Sequence, residues 1–350
     1  MGDAEGLDDI TVVQINAGDD DGADITLEFN TKRITVSVFA SSFSRNGDNT
    51  SLETPIEDRV IHLLNEAVTA ADEDYDDIIN EALDAIIGVG VSSFSQVAPP
   101  MLDSRSATPD LHTHLYPEVL DFRLQTINNK PAVFRISRDD AVSIPDIDPD
   151  PRFDSTFRPD SRLPLYSSKD ILIQHVFVSG NGTVSRARVD GRDVLCKARR
   201  AGLQDPALEQ ELLSLQKIWE NNLTDTTIHV PNLQGYVKHA YSGAIIGLLR
   251  DWVPSSSYGG TLRDVDVSAV SLDVKHKWVA QICQTVNQLH DIGVVWGDGK
   301  ASNIIVDPSN DIWLIDFGGG WSRGWVDEKL ADTAEGDDQA VEKIVKFLKL

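Results

Sequence analysis

The period of the hydrophobic positions changes along this chain, and the changes mark out its elements. Residues 10–15, 25–29 and 33–39 carry alternating or short blocked apolar runs separated by Gly, Asp and Asn, which predicts three strands of a small antiparallel sheet. Between 55–70 and 75–87 the spacing shifts to threes and fours, predicting two helices. Residues 97–111 are rich in Pro, Ser and Asp and read as a linker. Residues 120–135 supply one or two strands around Asn128-Asn129-Lys130-Pro131, and 143–164, with repeated Asp-Pro, read as a loop.

The second half is patterned differently. A strand over 171–178 is broken by Gly180-Asn181-Gly182; a second over 183–189 turns at Asp190-Gly191 into a third over 192–198 that contains Lys197. A helix is expected over 206–219, with Asp205 as its N-cap and Pro206 in its first position; Leu208, Leu212, Leu215 and Trp219 form its apolar stripe. Residues 243–254 read as a buried strand leading into a hinge. Residues 274–289 form an amphipathic helix closed by Gly293, and a last helix spans 337–350.

Candidate chemistry concentrates between the last two helices. Asp298, Lys300 and Asn303 are followed by an apolar strand, a turn at 307–311, and a second strand ending in Asp316-Phe317-Gly318. The aspartate can orient an attacking hydroxyl and accept its proton, and the lysine can neutralise charge on a group in transfer. Asn303 and Asp316 are hard oxygen ligands suited to Mg²⁺ bridging phosphates, and the hairpin between would bring the two carboxylates to one end of a cleft.

With these motifs, Trp-Gly-Asp-x-Lys-x-x-Asn and Ile-Asp-Phe-Gly, the chain resembles the protein kinase-like superfamily. The likeness is nearest to divergent fungal proteins that carry the first motif, and is more remote to the aminoglycoside and choline kinase type of phosphotransferase. It covers residues 165–350. It implies a bilobal kinase-like domain (165–350) with an abbreviated helical lobe; with the patterning of the first half, the expected chain is α+β, an acidic N-terminal α+β domain (1–110), a linker with short strands (111–164) and then that domain. It also implies ATP and Mg²⁺ as cofactors. Asp298 is then the catalytic base, Lys300 the neutraliser, and Asn303 and Asp316 the metal ligands. Lys197 is the phosphate anchor, paired with Glu211 or, failing that, Glu209. Backbone groups from Asp251 to Val253 would hold the adenine, while Gly180 and Gly182 would face phosphate. Ser185 stands where a third glycine belongs, so a plain hairpin turn accounts for Gly180 and Gly182 as well.

Two departures shape the expected substrate. Trp296-Gly297 replaces the usual His-Arg, and no Ala-Pro-Glu follows Asp316. A protein-docking helical region is therefore missing, and a small-molecule acceptor is expected in preference to a protein. With so short a helical lobe, residues 55–140 are expected to pack against it and complete its core. The alternatives are a kinase fold diverted to other chemistry, such as an arginine-containing cyclodipeptide synthase drawing on aminoacyl-tRNA, a pseudokinase scaffold, or an interaction protein driven by the N-terminal half.

Charge narrows these. The net charge is −25, and residues 1–164 hold 32 acidic against 12 basic residues. Such acidity opposes nucleic acid and anionic membranes; the basic group Arg186, Arg188, Arg192, Lys197, Arg199 and Arg200 lies near the expected phosphate site. Cys196 and Cys283, both in apolar patterns, suit a reducing compartment better than a disulfide. With no apolar run of eighteen residues and no basic or apolar leader, a cytoplasmic, unanchored protein is expected. Three further groups have bland readings beside their chemical ones. The acidic run 72–77 can complement a helix dipole or bind a cation, His112 and His114 can be a surface turn or a ligand pair, and Asp337-Asp338 can complement a helix start or a metal.

Overall fold

A computed structural model describes residues 10–19, 21–30, 32–41, 54–70, 72–99, 109–142, 157–221 and 228–350. Much of the linker expected at 97–111 and of the loop expected at 143–164 falls outside the described residues. The chain is mixed α+β and divides into two compact units, Met1–Ala107 with Tyr116–Asp148, and Thr108–Leu115 with Pro149–Leu350. The stretch 111–164 is therefore not one linker. Its middle adds strands to the first unit, whereas its start joins the second, where the Leu111 N–H donates to Ile171 O (2.8 Å) and the Ile173 N–H to Pro109 O (2.9 Å).

In the first unit, β1 (Thr11–Asp19), β2 (Gly22–Phe29), β3 (Lys32–Phe39), β4 (Val119–Ile127) and β5 (Lys130–Arg135) form one sheet in chain order. The three strands expected to form an antiparallel sheet do so, and β4 extends it by pairing parallel to β3. Between them the chain passes through α1 (Ile56–Thr69) and α2 (Asp72–Val97), and such a crossover returns a strand in the same direction. Ile25, Leu27, Ile34, Val36, Phe122 and Leu124 of the sheet share one core with Val60 and Leu64 of α1 and Ile86 and Phe94 of α2. Helix α2 runs past its expected end at Ile87 through Gly88 and Gly90. At Gly90 a Cβ would come within 2.5 Å of the Phe94 ring. That glycine makes room for Phe94, which meets Phe29 and Phe122 edge-on at centroid distances of 5.8 and 5.1 Å. Among the described residues Tyr75–Val97 is the one helix long and apolar enough to cross a membrane; its Ile79, Ala82, Ile86 and Phe94 are buried in this core.

The second unit holds a six-stranded sheet ordered β6-β10-β11-β9-β8-β7. Its strands are β6 (Leu165–Ser167), β7 (Leu172–Val178), β8 (Gly182–Val189), β9 (Arg192–Arg199), β10 (Leu233–Lys238) and β11 (Ile245–Asp251); only β6 and β10 run parallel. The short α3 (Leu111–Leu115) and α4 (Pro206–Asn221) accompany the sheet. After it come α5 (Leu272–Asp291), the hairpin β12 (Ile304–Val306) and β13 (Ile312–Leu314), and α6 (Ala334–Phe347). The start of α4 is capped as its sequence implies, with Asp205 Oδ1 accepting the Ala207 and Leu208 N–H groups. Helix α5 ends at Gly293, whose φ of 66° is open to glycine. Leu208, Leu212 and Leu215 of α4, Tyr236 and Leu248 of the sheet, Trp278 and Ile282 of α5, Ile304 and Leu314 of the hairpin and Ile344 of α6 pack into one core. That core draws on described residues from 157 onward, and residues 55–99 build the core of the first unit instead. The core of the second unit includes two wholly buried tryptophans, Trp278 and Trp296.

Candidate active site

Three segments converge in the second unit. Strand β9 lies between β8 and β11, with Lys197 opposite Val184 on one side and Leu248 on the other, so all three share a sheet face. Helix α4 presents Glu211, buried one turn from Leu208 and Leu215, and the chain after β13 presents Asp316. Lys197 Nζ lies 2.5 Å from Glu211 Oε2 and donates to Asp316 Oδ1 at 2.8 Å. Glu211, not Glu209, is therefore the lysine's helix partner.

The electrostatics follow from this triad. Burial pulls the Lys197 ammonium down, but the Glu211 and Asp316 carboxylates outweigh it and hold its pKa above the ordinary lysine value. For Asp316, burial pushes the carboxyl up; Lys197, with Lys300 and Arg250 beyond it, reverses the balance and keeps it below the ordinary value. Asp316 also sits at φ 67°, in the left-handed region that aspartate and asparagine enter more readily than other side chains.

The second cluster is built on the loop between α5 and β12. Asp298 is paired with Lys300 Nζ, receives the Ser322 hydroxyl on Oδ1 at 2.9 Å, and is braced by Asn303. The Asn303 amide donates to the Asp298 backbone O at 2.9 Å and to Oδ2 at 3.3 Å. The loop is pinned from beneath. Trp296 is wholly buried and its indole N–H donates to Ile315 O (2.9 Å), tying the Asp298 loop to the strand that delivers Asp316. Trp296 and Gly297 donate their backbone N–H groups to Asp337 Oδ2 and Oδ1 at 2.8 and 2.9 Å, and His290 Nε2 meets Oδ2 at 2.9 Å.

Asp337 lies in the first turn of α6, where its dipole reading puts it, and its carboxylate also accepts the backbone N–H groups of Trp296 and Gly297. Its carboxylate is completely buried and is spent on the two amides just before Asp298; burial raises its pKa, and the bonds from His290, Trp296 and Gly297 offset this in part. Its spacing from Ala340 and Ile344, three and seven residues on, placed it on the inward stripe of α6, and that was the available signal. Sequence reasoning also passed over Arg250, a buried arginine on the same sheet face as Lys197, whose charge acts on Glu211 and Asp316 while its own pKa is lowered by burial. Ser322, which bonds to both Asp298 and Lys300, was not among the expected site residues either.

Other candidates lie further from the chemistry. Gly180 has open space around it, whereas a Cβ on Gly182 would meet Ala198 O at 2.3 Å. The need for glycine at 182 is met by the neighbouring strand, as the hairpin reading has it. The Asp251 N–H donates to Asn232 O (3.0 Å), and its carboxylate accepts from the Asn232 and Gln234 side chains (3.0 and 2.6 Å). Asp251 thus braces the end of β11. Trp252 stacks on Phe177 (5.7 Å, 9° between planes), with the Arg186 guanidinium above it. The basic group is partly neutralised, since Arg186 and Arg188 both pair with Asp193 and Arg199 pairs with Asp205. His112 is buried against His239 and Tyr241 and bonded to Ser168, and among the described residues no three His, Cys, Asp or Glu side chains gather as a metal site. The side chains of residues 72–74 lie outside the described residues.

The site thus brings together one cation held by two carboxylates and, beside it, an aspartate flanked by a lysine, an amide and a hydroxyl. No protein-family model matches this sequence, and no curated protein matches it.

Proposed function

We propose that the chain is a Mg²⁺-ATP-dependent phosphotransferase with a bilobal kinase-like second unit, acting on a small-molecule acceptor. The observation that carries this reading is the double engagement of Lys197 by Glu211 and by Asp316, 119 residues further on. A lysine so fixed can neutralise phosphate oxygens without reorganising, and the carboxylate beside it belongs to a hard oxygen donor set with Asn303. These donors fit Mg²⁺, since one carboxylate and one amide leave positions for phosphate oxygens and water. Bound there, Mg²⁺ would shield phosphate charge.

The chain's own residues divide the remaining work. Lys197 anchors phosphate, and Glu211 and Arg250 set its position and field. Asp298 orients the acceptor hydroxyl and takes its proton, while Lys300 neutralises charge on the group in transfer and Asn303 holds the Asp298 loop in shape. Asp337 keeps that loop's backbone in place from below.

Two substitutions test the division. Asp298→Asn should lower turnover by about 10²- to 10⁴-fold while nucleotide affinity stays near wild type. Asp316→Asn should weaken Mg²⁺-ATP binding itself. Activity that survives both changes, or that needs charged tRNA and no ATP, would replace this reading with the diverted-fold alternative.

A further inference from the structure

The hydroxyl of Ser322 occupies a position that an acceptor hydroxyl would take. It donates to Asp298 Oδ1 at 2.9 Å and accepts from Lys300 Nζ at 2.9 Å. These are the two contacts that activate a hydroxyl for transfer: a carboxylate that can take its proton and an ammonium beside the incoming group. The side chain is half-buried, and no other hydroxyl among the described residues bonds to Asp298.

The segment that carries it is shaped for delivery. Gly319 and Gly320 precede it at φ 75° and 103°, and Gly324 follows at 89°, all in the region that favours glycine. Both ends of this turn are fixed. The Gly320 N–H donates to Asp332 Oδ1 (2.9 Å), and the Ser322 carbonyl accepts the Trp325 and Val326 N–H groups (3.0 and 3.2 Å). The glycines therefore bend the chain so that Ser322 points at the base while its neighbours stay anchored.

We infer that Ser322 is itself a phosphoryl acceptor, modified within its own chain, an inference that rests on the phosphotransferase reading above. In the step, Ser322 Oγ bonds to the γ-phosphorus of ATP as the bond from that phosphorus to the β,γ-bridging oxygen breaks. The hydroxyl proton passes to Asp298, and ADP leaves with the electron pair of the broken bond.

The test uses the full chain incubated with Mg²⁺-ATP over a range of protein concentrations, with intact mass and site mapping of the product. Ser322→Ala, Ser322→Thr and Asp298→Asn are purified in parallel. The expected result is one phosphate on Ser322, appearing at a first-order rate independent of protein concentration. It should be absent from Ser322→Ala, transferred to the new hydroxyl in Ser322→Thr, and slowed at least ~100-fold in Asp298→Asn. Saturable ATP binding with no phosphate at Ser322 overturns self-transfer and leaves the phosphotransferase reading standing. A rate that rises with protein concentration, or equal labelling of Asp298→Asn, also overturns it, whereas failure to bind ATP overturns both.

Discussion

Asp337→Ala removes a buried acceptor that no part of the proposed chemistry touches, so its effect isolates how the Asp298 loop is held. The carboxylate accepts the Trp296 and Gly297 N–H groups at 2.8 and 2.9 Å in a wholly buried setting. Each buried amide left without a partner costs about 1–3 kcal/mol, so the two together predict a loss of about 2–6 kcal/mol. For a unit of this size, 1 kcal/mol moves Tm by roughly 2–4 °C, and a mid-range loss of ~4 kcal/mol lowers Tm by about 8–16 °C. Calorimetry of the full chain reads this directly. Asp337→Asn keeps one carbonyl acceptor, so its loss should be about half as large. Because the two amides immediately precede Asp298, turnover should fall further than the apparent affinity for ATP. A Tm within about 2 °C of wild type, with turnover intact, would refute the role given to Asp337.

Other outcomes follow from the same geometry. Lys197→Met strands Glu211 in the interior and should cost about 3–5 kcal/mol in urea unfolding while abolishing stabilisation by Mg²⁺-ATP; wild-type stability would contradict the triad. Lys197, its pKa raised on folding, contributes fully below its ordinary value of 10.5 and loses that contribution as pH rises beyond it. Asp316, its pKa lowered, contributes above 3.8 and loses its part as pH falls below that. Wild-type stability should thus fall at both ends of a pH series, and Lys197→Met should flatten both falls. In α2, Gly88→Ala enters open space and should stabilise by about 0.5–1 kcal/mol, whereas Gly90→Ala drives a methyl into Phe94 and should destabilise by about 1–3 kcal/mol; equal effects would refute the packing reason for Gly90. Gly319→Ala forces an alanine to φ 75° against Gln210 and Asp332, and should cost about 1–2 kcal/mol and reduce labelling of Ser322.

What could be read from the sequence was local. Asp205-Pro206 before a stripe of leucines, Gly293 after α5 and the 307–311 turn each state their geometry in adjacent residues, and the elements stand there. Lys197, Glu211 and Asp316 were named by spacing within a recognised pattern, and the chain brings all three together. What escaped was set by distant packing. The parallel pairing of β3 with β4 depends on a crossover of two helices, and α2 continues past its expected end at Ile87 through Gly90, whose space the Phe94 ring takes. Asp337 and Ser322 act through partners 22 to 41 residues away; the inward stripe of α6 marks Asp337 as buried but names no partner, and Ser322 carries no local signature of its contacts.

The most direct test is titration of the intact chain with Mg²⁺-ATP, followed by calorimetry and thermal unfolding, beside Asp316→Asn. Wild type should bind one equivalent and be stabilised by about 2.7 kcal/mol at a hundredfold excess over Kd, with Asp316→Asn binding markedly more weakly. A chain that unfolds cooperatively yet takes up no heat and shows no Tm shift at millimolar Mg²⁺-ATP would contradict the proposed site.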